Sequence, residues 1–203
     1  MAKYRVLGIS GKAGSGKDYL YLNYIKPLGF YQISLAWHFK ADLIGKGALT
    51  FEEAFVTKPP HIRTMLQLVG TELGRNIYGD KVWCNTLTAW LDVFSFHWGV
   101  QSFVIPDVRF INELDFIQQD LEGKVIRIIA PKRSGTTNLD ATQRAHASEA
   151  EMNGIPDEQF DGLVYNDPGD LALDAQLGSL FNEYGWDHEA TQLKELFDCG
   201  SYK

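Results

Sequence analysis

The chain has 203 residues, of which 45% are apolar and 22% charged, enough to bury a core within one domain and close to the average for globular proteins. Disordered and fibrous chains are excluded on that composition. The formal net charge is −7 and no basic run exceeds Lys132-Arg133, so the chain has no general attraction to nucleic acid or anionic membrane. Any anion it binds has to meet positive charge gathered locally in a cleft. No apolar run reaches the length of a membrane span, and the strand-like stretch after Met1 has no signal-peptide architecture. The expectation is a cytoplasmic protein, with Cys84 and Cys199 as reduced thiols because they lack metal-ligand spacing.

In chain order, Tyr4–Ser10 reads as a buried strand, followed by a Gly-rich loop and a helix over Lys17–Ile25 stopped by Pro27. Phe30–Leu35 is a second strand, with Ser34 as the expected N-cap of a helix over Trp37–Ile44. Residues 45–61, with Gly45, Gly47 and Pro59-Pro60, read as an inserted connection. Arg63–Tyr78 carries Met65, Leu66, Val69 and Leu73 on one helical face, and a further helix covers Val82–Phe96. The strand Ser102–Asp107 leads into a helix over Glu113–Leu121, and Val125–Ala130 is the fourth strand. Residues 131–150 are polar, with Lys132, Arg133 and Arg144, and form a second insertion. Gly162–Asn166 is the fifth strand. Leu173, Leu177, Leu180 and Phe181 then form an apolar stripe ended near Gly185, and His188–Phe197 is a last short helix. Strands alternating with helices predict an α/β fold of three layers, a five-stranded parallel sheet covered on both faces. There are no repeats, so 1–203 is read as a single domain.

The sharpest local signal is Gly11-Lys12-Ala13-Gly14-Ser15-Gly16-Lys17, which matches G-x-x-x-x-G-K. In such a loop backbone N–H groups wrap a phosphate while the lysine reaches the β and γ oxygens. The bare pattern arises by chance in roughly one chain in twenty of this length. Its position, straight after a strand and opening a helix whose positive end faces the same phosphates, is what identifies it. Gly11, Ala13, Gly14, Ser15, Gly16, Lys17 and Asp18 are therefore the candidate ATP-binding residues. At position 18 Asp replaces the Ser or Thr that commonly ligates Mg²⁺. A carboxylate beside a triphosphate is tolerated when a cation lies between them, which favours a metal role over simple helix capping.

A second acid, Asp107, ends the strand Phe103-Val104-Ile105-Pro106. P-loop enzymes place an acid there, near the Mg²⁺, and ligands of parallel sheets bind at these strand ends. Arg109, two residues on, is placed to clamp a phosphate. The alternative for Arg109 is an internal ion pair with Asp107 or Glu113.

Gly14-Ser-Gly-Lys-Asp18, Asp107-Val-Arg-Phe-x-Asn-Glu113 and Leu66-Gln-x-x-Gly-Thr-Glu-x-Gly-Arg75 together resemble bacteriophage-type deoxynucleoside monophosphate kinases. His146-Ala-Ser-Glu149 and Tyr165-Asn-Asp167 add to the resemblance, which spans about residues 4–180. Ile111 and Ala147 stand where that family more often has proline. The resemblance implies an adenylate-kinase-like P-loop fold, with 36–98 as a helical substrate-binding region, 131–150 as a lid and 185–203 as a C-terminal extension. It also implies ATP as donor with Mg²⁺ held by Asp18 and Asp107. Lys40, Arg63, Gln67, Arg75, Trp83 and Arg109 would bind the acceptor, Gln67 and Trp83 through the base. Arg133 and Arg144, with Lys132, would close on the transferring group, and Asn166 would lie near the adenine. Homodimerisation is compatible with the same resemblance.

The expected reaction is transfer of the γ-phosphoryl group of ATP to a deoxynucleoside monophosphate (dNMP). Lys17 and Arg109 would stabilise the charge, with no general base because the accepting phosphate oxygen is already ionised. Two other readings stand beside it. One is a kinase for another small phosphorylated acceptor, of the phosphomevalonate or dephospho-coenzyme A type, and the other is a P-loop ATPase or nucleotide-binding switch.

Overall fold

A computed structural model describes residues 3–132 and 147–198. The five strands are β1 (Arg5–Ser10), β2 (Tyr31–Gln32), β3 (Ser102–Val108), β4 (Lys124–Ile129) and β5 (Gly162–Tyr165). They pair in parallel in the order β2-β3-β1-β4-β5. The chain winds to one side of β1 first and then crosses to the other. This reversal opens a crevice at the C-terminal end of β1, where parallel α/β sheets bind ligands.

Strand side chains alternate between two cores, as the period of 2 demands. Val6, Phe103, Ile105 and Val125 face Cys84, Leu87 and Leu91 of the helix Val82–Trp98. Leu7, Ile9, Val104, Ile126 and Ile128 face Leu20, Ile25, Leu173, Leu177, Phe181 and Leu193 on the opposite side. Helices thus cover both faces of one parallel sheet, the P-loop NTPase fold.

Local differences from the expectation have identifiable causes. β2 is shorter than Phe30–Leu35 because Leu35 and Ala36 donate their N–H groups to the Asp107 carboxylate (3.1 and 3.2 Å) instead of to a strand. The same bonds correct the cap of helix α2 (Trp37–Gly45). Ala36 holds the N-cap position rather than Ser34, whose hydroxyl accepts from Ala36 N–H at 3.1 Å. Residues 45–61 are more than a connection, since Glu52–Thr57 is helical. A capping box starts it: Glu53 accepts from Thr50 N–H at 2.8 Å and donates its own N–H to Thr50 Oγ1 at 3.2 Å. Leu49, Ala54 and Ile62 bury together beneath it.

Helix α3 (Pro60–Leu68) continues through a wider turn at Val69–Arg75 to Asn76–Tyr78. The helix Ala147–Gly154 takes up the end of the segment read as a lid, and Glu151 in it accepts from Ile111 N–H at 3.0 Å. Arg133 and Arg144 lie outside the described residues. Among the described residues no helix is long and apolar enough to cross a membrane.

Candidate active site

The loop 11–17 sits where β1 ends. Gly14 (φ 81°) and Gly16 (φ 96°) take left-handed backbone that other residues enter only at a cost. At Gly16 a Cβ would also run into Asn166 Nδ2. That amide is buried and donates to the Ser15 carbonyl at 2.9 Å, bracing the loop from β5. The structure therefore engages the Asn166 side chain beneath the phosphate loop rather than leaving it open towards a base. Lys17 opens helix α1 (Lys17–Leu20), and its Nζ donates to the carbonyls of Gly11 (2.6 Å) and Lys12 (3.0 Å). The ammonium is thus held over the loop by the loop's own backbone. Ser15 Oγ, buried without a hydrogen-bond partner, lies where a Cβ on Gly11 would approach to 2.9 Å. Left-handed glycines, a pre-placed ammonium and a following helix N-terminus fit a nucleotide phosphate.

Asp107 leaves the end of β3 toward α2. Its carboxylate accepts from Ser34 Oγ (2.5 Å) and from Leu35 and Ala36 N–H, tying the helix that carries Lys40 to the sheet. Lys40 is half-buried with its Nζ 4.9 Å from the centre of the Phe55 ring. Burial pushes its pKa down from 10.5 to about 8. Lys58 adds most to that among the charges, Asp107 pulls back, and Arg109 and Arg63 push it lower again. Lys40, Lys58 and Arg63 enter no ion pair among the described residues. In a protein of net charge −7, three basic groups with no ion-pair partner among the described residues make a candidate site for an anion. Lys58 had no local sequence signal, because its neighbours in this cluster come from α2, α3 and the end of β3.

Two expected acceptor residues have other tasks. The Arg75 side chain is buried and paired with buried Glu113. It also donates to Asn112 Oδ1 and the Asp80 carbonyl, each at 3.2 Å, and lies 3.9 Å over the Phe110 ring. The structure thus engages this guanidinium with Glu113, Asn112 and Asp80, whereas the sequence expectation places it on the acceptor phosphate. Trp83 is 9% exposed, packs 5.0 Å from Phe39 and donates Nε1–H to the Gly70 carbonyl at 2.7 Å. It belongs to the core, and a Cβ on Gly74 would run into its ring. Gln67 on α3 is half-buried and its side chain makes no hydrogen bond among the described residues, which leaves its amide available to a ligand.

Glu113 has a larger part in the site than its place in the sequence suggests. Its Oε2 accepts from Arg109 N–H (2.7 Å) and Phe110 N–H (3.1 Å), fixing the turn that presents Arg109. Burial pushes its carboxyl up to about 7, against the Arg75 guanidinium and these two N–H groups. The sequence signal was its place three residues after Phe110, the spacing of a capping acid.

Mg²⁺ keeps several waters and takes one or two carboxylates beside phosphate oxygens. Among the described residues no group of three or more His, Cys, Asp or Glu is placed to hold a metal ion alone. Asp18, exposed on the first turn of α1 with no hydrogen bond to its carboxylate among the described residues, fits the smaller requirement. Asp107, with three donors already on it, has room for a water-mediated contact.

A P-loop at the switch point of a parallel sheet, opposite a cluster of basic groups, defines the chain as a P-loop phosphotransferase. The model of the deoxynucleotide monophosphate kinase family matches residues 48–175. The chain is 30% identical to a putative deoxynucleotide monophosphate kinase of Acanthamoeba polyphaga mimivirus, over 79% of this chain and 88% of that protein. It is also 30% identical to the deoxynucleoside-5'-monophosphate kinase of Escherichia phage T5, over 51% of this chain and 44% of that protein. The chain belongs to the deoxynucleotide monophosphate kinase family. Its fold superposes on the crystal structure of TT1252 from Thermus thermophilus with a TM-score of 0.52 at 16% identity, covering 89% of this chain and 97% of that one.

Proposed function

We propose that this enzyme transfers the γ-phosphoryl group of ATP to the 5′-phosphate of a deoxynucleoside monophosphate, giving dNDP and ADP. The observation that carries the reading is the group of basic residues Lys40, Arg63 and Arg109 around the end of β3, across from a complete P-loop. An ATPase or switch has no use for a second anion site at that place. The loop amides and Lys17 bind the donor phosphates. The basic cluster holds the acceptor phosphate, screening the repulsion between two anions and orienting one oxygen for in-line attack. That oxygen is ionised at neutral pH, its second pKa being about 6, so no side chain has to remove a proton. Asp18, and Asp107 by way of water, would hold Mg²⁺, which would supply charge neutralisation at the donor phosphates. Gln67 is offered to the acceptor base. Arg133, Arg144 and Lys132, in a lid over 131–150, complete the charge stabilisation. ATP and dNMPs are cytoplasmic solutes, which supports a cytoplasmic enzyme.

The depressed Lys40 gives this arrangement a pH signature. The protonated form binds phosphate, so acceptor binding is present below a pKa of about 8 and lost above it. As kcat/KM reports the free enzyme, its value for dNMP should fall roughly tenfold per pH unit above that point while kcat/KM for ATP stays level. Lys40→Arg, charged throughout, should move the alkaline limb out of range. A limb that persists in that variant, or that strikes ATP equally, assigns the titration elsewhere and takes Lys40 out of the acceptor site.

A further inference from the structure

The segment between α2 and α3 carries a conformational oddity. Lys58 ends the helical turn Glu52–Thr57 in left-handed backbone, φ 45° and ψ 61°. Helices often stop on such a residue, but it is then usually Gly or Asn, since a Cβ crowds the backbone there. Pro59 follows, and a residue before proline is pressed toward extended conformations. A lysine at this position opposes both preferences. Backbone strain of this kind persists where the surrounding structure enforces it, and it gathers at ligand sites.

The surroundings enforce it here. The Thr50–Glu53 capping box fixes the start of the turn, and Leu49, Ala54 and Ile62 bury it from below. Pro60 then opens α3. The carbonyl of Lys58 accepts from Arg63 Nε–H at 3.3 Å, so the same strained residue also positions that guanidinium. Phe55, one helical turn earlier, stands under the Lys40 ammonium. The Lys58 side chain is half-buried and has no acid partner among the described residues. Among the charges around Lys40 it has the largest effect. A cation kept close to other cations at a backbone cost is waiting for an anion.

We propose that Lys58 is a binding residue of the acceptor site, its ammonium converging with Lys40 and Arg63 on the 5′-phosphate of the monophosphate. The inference rests on the acceptor reading given above. A compact ammonium with three donors suits a phosphate dianion as a point charge, without the planar pairing that arginine supplies.

The left-handed backbone makes the test clean. Lys58→Gly removes the ammonium and also relieves the strain, so its unfolding midpoint should equal or exceed that of the wild type. Its KM for dNMP should rise about tenfold or more, the scale of a lost hydrogen bond to a charged group, while KM for ATP stays within about twofold. Lys58→Arg should recover most of the acceptor affinity. Unchanged KM for dNMP in Lys58→Gly overturns the proposal, as does an equal rise for ATP. A lower unfolding midpoint also overturns it, because the side chain would then be serving the turn. Wild type assayed alongside separates the two layers. A wild type that phosphorylates no dNMP removes the acceptor reading itself, whereas an active wild type with an indifferent Lys58→Gly removes Lys58 alone.

Discussion

Replacing Lys17 with alanine should lower kcat by about 10²–10³ with little change in stability. The Lys17 ammonium is fixed over the phosphate loop by the carbonyls of Gly11 and Lys12, at 2.6 and 3.0 Å. It needs little reorganisation to meet charge developing on the transferring group. Removing one well-aimed donor of this kind costs about 2.7–4 kcal/mol in the transition state. The side chain is half-exposed, so no cavity opens and the fold has little to lose. Steady-state turnover with both substrates saturating, beside a thermal melt, checks both halves of the expectation. Turnover close to that of the wild type would mean that the ammonium does not reach the phosphates.

Glu113→Ala should have the largest effect on stability, about 3–5 kcal/mol, because it strands a buried guanidinium. Both partners of the Arg75–Glu113 pair are buried. Deleting one half of such a pair leaves an uncompensated charge, which costs far more than the intact pair contributes. Two further N–H groups, of Arg109 and Phe110, lose their acceptor at the same time. In a chain of this size the melting temperature should drop by roughly 10 °C. Acceptor KM should rise in whatever folded enzyme remains, since the turn presenting Arg109 is held by that carboxylate. Replacing both members with apolar residues, Arg75→Met with Glu113→Leu, should restore part of the stability. A melting temperature unchanged in Glu113→Ala would show that Arg75 finds water or another acid, and that the pair is not a fixed part of the turn.

These two residues mark how far the sequence could be read. The P-loop was legible because its chemistry is local: strand, glycines, lysine and helix follow one another within residues 5–20. The strands were legible from apolar runs, and Asp107 from its place at the end of one. The division of labour within 66–83 and 107–113 was not. Arg63 and Arg75 are alike on paper, yet Arg63 is exposed while Arg75 meets Asn112 and Glu113 37 and 38 residues later. Trp83 gave no local hint that its ring would occupy the space above Gly74. Lys58 became a site residue only when folding brought α2, α3 and β3 around it. One missed feature was local. The Thr-x-x-Glu signature at Thr50–Glu53 announces a helix start, and the surrounding glycines and prolines mask it by reading as a loop.

The central claim is that the basic cluster receives a nucleotide phosphate that the P-loop donor then phosphorylates. It is tested most directly by incubating the enzyme with ATP labelled at the γ-phosphate, Mg²⁺ and each common dNMP or NMP in turn, and resolving the products. The account predicts label in the β-phosphate of one or a few dNDPs, with ADP formed in equal amount and little ADP formed when no monophosphate is present. Release of label as inorganic phosphate at a rate indifferent to every monophosphate would contradict it.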